Sequence, residues 1–567
     1  MCPFIVLAFA LLCGNAAVAQ TENFLEPQLL EDLYPGVEAS DPSLIFRFGS
    51  TRGYFMATVP DQPFRQLFAI EASSDNVVQQ VGEFTTSNRG DPFATDPFWT
   101  DSSGFSPVRL GDVLYLFLFD YDLQQNVLWS ASKESDQHVL SRWNQTVFGS
   151  SEELRSLVTV FKDQLYAFMP YNGIASPPWG LTRFSSGFEM YEMVKNKSAF
   201  YGIPELDSVP DEEFFGLTSG SILGQTTELL LLSTRVEGNG GIYGYDGSFV
   251  FPIHTPFSSF DLLMVEEISD AEERFFFTAK SGDEEPLGRE QLYGATITPS
   301  GASFEGPSRN VTVVQLTDLS QNCIRNDYNL RCFLNFQRLD SSRYVFTYNR
   351  QLGITDGVSG DQEGTFLITG QPPIDTRTVL VASAHVLFKE DLGEPQLYVS
   401  DGTQDGTVQL QDGDTLVLGT PLFVFQDSIF ISSEGAVWRM TAVDEEEESF
   451  QLDKLEGATS IKGTLFEADG LLYCYQTVNT GRGNSYTNFM VSNGTHVGIF
   501  YRRSGSLVGG FLNLIGERIV LVTSTSEYGA ELYYFDLLQY VPFQASTSTD
   551  DSSGVSTVSS ALLLFFA

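Results

Sequence analysis

The sequence predicts an all-β fold: a β-propeller built from about 50-residue repeats of three to four antiparallel strands. Three observations predict it. Short apolar, β-branched and aromatic runs, bounded by Gly, Asp and Ser, follow one another along nearly the whole chain. Long stretches of helical period are scarce. A polar–Leu–aromatic triplet recurs at near-regular spacing from Leu67 to Leu532.

The runs come first. Val113-Leu114-Tyr115-Leu116-Phe117-Leu118-Phe119, Leu229-Leu230-Leu231-Leu232, Arg274-Phe275-Phe276-Phe277-Thr278 and Arg518-Ile519-Val520-Leu521-Val522 have strand length and strand composition. Several are apolar at every position, so they read as strands covered on both faces. Aromatics make up 13% of the residues, which gives the chain enough apolar bulk for a large core. The exception to the β pattern is Phe24 to Tyr34, which predicts one short helix before Pro35-Gly36.

The triplets come next. They read Gln66-Leu67-Phe68, Val127-Leu128-Trp129, Gln291-Leu292-Tyr293, Gln396-Leu397-Tyr398 and Glu531-Leu532-Tyr533. Looser copies are Trp179-Gly180-Leu181, Gly241-Ile242-Tyr243, Val437-Trp438 and Phe489-Met490-Val491. A further unit fits between Leu292 and Leu397, around Tyr344 to Tyr348. In the clearest copy, Ser400-Asp401-Gly402-Thr403 follows the triplet, and Asp401-Gly402 has the chemistry of a tight type I′ hairpin turn. Ser492-Asn493-Gly494-Thr495 repeats that turn. A small sheet cannot bury both faces alone; radial packing buries them and leaves short, protected edges. Separate β-sandwiches are the alternative architecture. Seven, eight or ten blades in one ring, or two smaller rings, fit the spacing.

Gln396-Leu397-Tyr398-Val399-Ser400-Asp401-Gly402-Thr403, with Gly406-Thr407 after it, resembles the ELWxxDGT repeat of large secreted and surface proteins. Gln stands for Glu and Tyr for Trp, while Glu531-Leu532-Tyr533 keeps the Glu. The resemblance implies a propeller-like β array. It brings no catalytic residues.

The chain ends differ from this body, which spans residues 20–544. Residues 1–19 have the apolar centre and the Ala17-Val18-Ala19 exit of a secretory signal peptide. Residues 545–567 form a Ser/Thr-rich tail with a short apolar end, which reads either as a lipid-anchor signal or as a plain disordered terminus. The expected localisation is therefore secreted or cell-surface. In an oxidising compartment, Cys323 and Cys332 are expected to close a disulfide, and Cys474, inside an apolar run, to be a buried free thiol. Asn144, Asn196, Asn310 and Asn493 head sequons for glycosylation.

Charge narrows the function classes. A formal net charge of −42 repels phosphate backbones and anionic membranes, so neither nucleic acid nor a lipid surface is an expected partner; membrane association is expected only through a C-terminal lipid anchor. Cationic partners, or divalent cations such as calcium, would suit the acids; Asp120-Tyr121-Asp122 and Asp283-Glu284-Glu285 could ligate calcium, but neither has the Gly and terminal Glu of a defined calcium loop and both read as solvated loops. No cofactor is expected. Asp444-Glu445-Glu446-Glu447-Glu448 reads as a solvated turn. His138, His254, His385 and His496 are far apart, and no nucleophile elbow, zinc motif or phosphate loop is present, so no catalytic residue is assigned.

The first expectation is a non-enzymatic extracellular binding or adhesion protein whose propeller-face loops contact a protein or glycan. A secreted carbohydrate-active hydrolase or lyase, with carboxylates at the channel, is the second. A structural cell-surface component is the third.

Overall fold

The computed structural model describes most residues from 28 to 536; the longer stretches outside the description are 1–27, 83–106, 143–157, 194–216, 320–331 and 537–567. The strands form as the runs predict. Tyr54 to Ala57, Phe275 to Phe277 and Tyr344 to Tyr348 are buried at every position, because each lies in the second strand of a sheet clasped between two others. Tight two-residue turns lead into several second strands. Lys162-Asp163, Ser383-Ala384 and Gln426-Asp427 all have both φ angles near +50°, between the closing pairs Phe161–Gln164, Ala382–His385 and Phe425–Ser428. That is the backbone of a type I′ turn, whose twist matches the flanking strands.

Ten four-stranded antiparallel units follow one another among the described residues. In chain order the blades span 46–82, 108–142, 158–193, 217–257, 257–315, 333–367, 380–409, 420–454, 463–504 and 512–536. The third to fifth share a continuous ladder. Trp179 pairs with Leu217, and the long strand Val250–Ser269 closes the fourth blade with its first half and opens the fifth with its second.

The tenth blade has three strands of its own, and its fourth is Gln28–Glu31 from the other end of the chain. Gln28 pairs with Tyr534 and Leu29 with Tyr533. This corrects the helix expected over Phe24 to Tyr34: at least Gln28–Glu31 is strand. Leu29-Leu30 suits either state locally, and the unpaired edge of Gly529–Asp536 decides between them.

Among the described residues, apolar clusters lie between most consecutive blades, including the seam between the last and the first. Leu352 and Val386 meet between the sixth and seventh, Leu397 and Ile429 between the seventh and eighth, and Phe489 and Leu521 between the ninth and tenth. Phe55 and Ile70 of the first blade meet Ile515, Val520 and Leu532 of the tenth, so the ring is closed. The first strands of neighbouring blades approach one another around most of the circle, which places them at the axis. The molecule is a β-propeller.

Candidate functional site

The repeat is explained by the third strand of each blade. All of the sequence triplets fall there, from Gln66–Glu71 in the first blade to Gly529–Asp536 in the tenth. Alternation along a strand sends neighbouring side chains to opposite faces. Leu67, Leu292, Leu397 and Leu532 are at most 1% exposed and point to the following blade. The aromatics after them, Phe68, Tyr293, Tyr398 and Tyr533, point to the preceding one. Burying one leucine contributes about 1.5–3 kcal/mol, so the triplet supplies a cohesive contact to both neighbours.

In the tenth and fifth blades the polar member of the triplet holds the connector that leads to the next blade, whereas in the seventh Gln396 accepts from Gln409 Nε2, in the fourth strand of its own blade, at 2.6 Å. Glu531 is fully buried; its carboxylate accepts from Ser40 N at 2.9 Å and Ser40 Oγ at 2.6 Å, in the segment joining the closing strand to the first blade. Gln291 accepts from Thr317 Oγ1 at 2.9 Å and Leu319 N at 3.1 Å. Beside it, Glu290 accepts from Thr278 Oγ1 at 2.7 Å and Cys332 N at 3.1 Å. The backbone repeats the grip. Leu316, Ile368, Leu410 and Leu455, all buried, donate their N–H to the carbonyls of Leu292, Leu352, Leu397 and Val437.

The Asp-Gly element lies at the other end of the strand. Asp401-Gly402 is not the type I′ turn that the sequence predicts. Ser400 pairs with Thr407 across a six-residue loop, and of the two residues only Gly402 has positive φ, at +86°. Asp401 Oδ1 accepts from Thr403 N at 2.7 Å and Thr403 Oγ1 at 2.8 Å, and Ser400 Oγ accepts from Gly402 N. A Cβ on Gly402 would sit 2.6 Å from Leu339 Cδ2 and 3.0 Å from Arg343 Nη1, both in the preceding blade. Thr355-Asp356-Gly357 and Ser492-Asn493-Gly494 use the same bonds. This loop locks backward, while Glu531 and Gln291 lock forward.

That comparison locates the missing unit. Tyr344–Tyr348 is the second strand of the sixth blade, and the third is Gln351–Thr355, with Gln351-Leu352 in the triplet place. The signal was present: Leu352 precedes Gly357 by the same five residues that separate Leu397 from Gly402 and Phe489 from Gly494. Gly353 replaces the aromatic because the Phe346 ring fills its side of the strand.

Charged groups concentrate at the seams. Glu71 lies 3.1 Å from Arg52 and 3.3 Å from His138 Nε2, and it also pairs with Lys133. Burial alone would raise its pKa, but Lys133 and Arg52 outweigh it and hold the carboxyl below its ordinary value. Burial pushes His138 the other way for a base, downward. Between the fifth and sixth blades, buried Glu266 pairs with Arg338 and accepts from Tyr344 OH, and burial with that contact lifts the phenol to about 12.

Cys474 is a free, buried thiol, as expected, raised by desolvation to about 12. Cys332 is buried at the start of the sixth blade, and Cys323 lies outside the described residues. Asn310 is exposed on an outer strand, and Asn493 is half-buried in the Asp-Gly-type loop. Asn144, Asn196, Asp122, Asp283, Glu284, Glu285 and the run 445–448 lie outside the described residues, as do the signal and tail segments. No cluster of three or more His, Cys, Asp or Glu side chains with metal-binding geometry forms among the described residues. His385 is buried at the head of a second strand, its Nδ1 2.6 Å from Ser383 O.

No family model and no curated protein matches the chain. Among solved structures it is similar to a prolyl endopeptidase (10% identity, TM-score 0.29, covering 82% of this chain and 55% of that one). It is also similar to BamB from Moraxella catarrhalis (9%, TM-score 0.25, 80% and 96%) and to dipeptidyl peptidase 4 from Porphyromonas gingivalis (10%, TM-score 0.32, 70% and 58%). The matched region is thus little more than half the length of either peptidase.

Proposed function

We propose that this chain is a non-enzymatic extracellular binding protein whose propeller-face loops contact a protein or a glycan. One observation carries the reading. Among the polar side chains of the repeat, Glu531, Gln291 and Glu290 hold the segments between blades in place, and Asp401 holds its own loop. The result is a rigid ring that presents loops of differing length, and rigid scaffolds with variable loops suit recognition. The repeat is proposed to be of the ELWxxDGT kind, and Cys323 to pair with Cys332. Exposed Asn310 is the best-placed described residue to carry a glycan. Cleavage after Ala19 and a lipid anchor at the C-terminal tail complete the proposal.

Screening the purified protein on a glycan array, against extracellular protein panels and against a set of glycosides tests it. Saturable binding without turnover is expected. Hydrolysis or elimination on any glycoside would overturn the non-enzymatic reading in favour of a carbohydrate-active enzyme. N-terminal sequencing of secreted protein checks the cleavage, and a mass gain on alkylation only after reduction checks the disulfide.

A further inference from the structure

The outer rim of the ring has a demand of its own. The fourth strand of a blade has one partner, and its far side offers unpaired N–H and C=O groups to any second strand. Several blades blunt that edge. The fourth strands of the sixth and seventh blades, Thr365–Leu367 and Thr407–Gln409, have three residues each. That of the eighth, Ser449–Lys454, ends in Asp453-Lys454, and that of the ninth, Val497–Ser504, carries Arg502 and Arg503. That of the first, Val77–Gly82, is uncharged, but its terminal glycine lies hard against Leu140 of the second blade, and Gln80 Nε2 donates to Gly82 O at 3.2 Å.

The fifth blade has none of these devices. Its fourth strand, Arg309–Gln315, has seven residues and ends the ladder shared by the third to fifth blades. It pairs with Glu290–Pro299 on one side, and among the described residues no strand pairs with the other. At the usual rise per residue that leaves a free edge about 23 Å long. Arg309, the strand's one charge, is drawn away: its Nη2 lies 2.6 Å from Glu228 of the fourth blade, and its side chain is 16% exposed. The rest, Asn310-Val311-Thr312-Val313-Val314-Gln315, holds three valines and no charge, proline or glycine. That is the composition of a segment that pairs with copies of itself.

The same strand carries a sequon. Val311 and Val313 pack against the apolar cluster of the fourth and fifth blades, whereas Asn310 and Thr312 are exposed. Strand alternation sets the asparagine and the threonine of the sequon on one face, away from that cluster. A bulky, hydrated glycan at the second residue of the strand keeps another chain from the edge beside it.

We propose that an N-linked glycan on Asn310 guards the edge of Arg309–Gln315 against pairing with a second copy of this chain. This rests on the extracellular reading above and gives that glycan a role. In the modification, Asn310 Nδ2 forms a bond to the anomeric carbon of a lipid-linked oligosaccharide diphosphate. The bond from that carbon to the diphosphate oxygen breaks, the lipid diphosphate leaves, and the amide gives up one proton.

The test is secretion of the full-length protein from a eukaryotic host that attaches high-mannose glycans. Peptide mass spectrometry reads Asn310, and light scattering over a concentration series reads association. The parent is expected to carry the glycan and stay monomeric. Asn310→Gln, and folded parent trimmed by an endoglycosidase to one sugar per site, should self-associate at a protein concentration at least about tenfold lower. Thr312→Lys also deletes the sequon, but it places a charge on the exposed edge and should stay monomeric. Asn493→Asp, which deletes a sequon in another blade, should behave as the parent. All variants should melt like the parent.

An unmodified Asn310 in secreted protein overturns the guard. So does trimmed parent, or Asn310→Gln, that stays monomeric over the same range. Thr312→Lys associating as strongly as Asn310→Gln would place the contact on another surface and overturn it as well. Retention inside the cell with an uncleaved N-terminus would sink the extracellular reading, and the guard with it.

Discussion

Glu531 and Glu71 occupy opposite ends of the same kind of strand, and the fold moves their proton equilibria in opposite directions. Glu531 lies near the start of its third strand, at the triplet end, where it meets the neutral donors Ser40 N and Ser40 Oγ. Burial therefore prevails and raises its pKa. Glu71 closes its strand, at the hairpin end, where Lys133, Arg52 and His138 surround it. There the cations prevail and lower it. The ring thus has two ways of joining blades: a buried, charge-poor grip on connectors and a half-exposed, charge-rich contact between neighbouring strands.

The largest effect is expected from breaking the buried grip. Glu531→Leu removes the carboxylate to which the Ser40 amide and hydroxyl donate at the seam that closes the ring, and should cost about 3 kcal/mol in urea denaturation. Glu531→Gln keeps an acceptor and should recover most of that. If the leucine variant is as stable as the parent, the closing seam does not depend on this carboxylate. At the opposite end of a strand, Gly402→Ala should cost about 1–3 kcal/mol, because alanine is strained at positive φ. Its methyl would also press on Leu339 of the preceding blade. A loss below about 0.5 kcal/mol would mean the loop yields and does not lock the blades.

Titration sharpens the contrast further. Glu531 has a folded pKa above its ordinary 4.5, so its contribution is full below that pH and falls as pH rises through the raised value. The melting temperature of Glu531→Gln relative to the parent should therefore climb between acid and neutral pH. Glu71 is depressed below 4.5, so its contribution is full above that pH and is lost as pH falls through the lowered value. Glu71→Gln should accordingly approach the parent in acid and fall behind it at neutral pH. Parallel slopes for the two variants would remove the distinction between the seams.

How much of this the sequence carried follows from which contacts are local. Strand runs such as Phe275 to Phe277 and the triplet leucines were legible because burial on both faces marks each residue directly. The closing strand was not. Gln28–Glu31 becomes β only by pairing with residues at the far end of the chain, and nothing within the segment encodes that. The Asp-Gly loop was found but misassigned, since its width depends on Ser400 pairing with Thr407 and its glycine on a neighbouring blade.

The smallest effect tests the repeat loop itself. Asn493 stands where Asp401 and Asp356 stand in their own blades. Among the described residues its Oδ1 alone is engaged, accepting from Thr495 N, Thr495 Oγ1 and His496 N at 2.9–3.0 Å. A carboxylate supplies the same acceptor, so Asn493→Asp should leave stability within about 0.5 kcal/mol of the parent. Asn493→Ala removes the acceptor and should cost about 1 kcal/mol. Both substitutions delete the sequon, so a mobility shift shared by the two variants in secreted protein would report a glycan at this position. A stability loss shared by both would show that the amide nitrogen matters, and would separate this loop from its two aspartate counterparts.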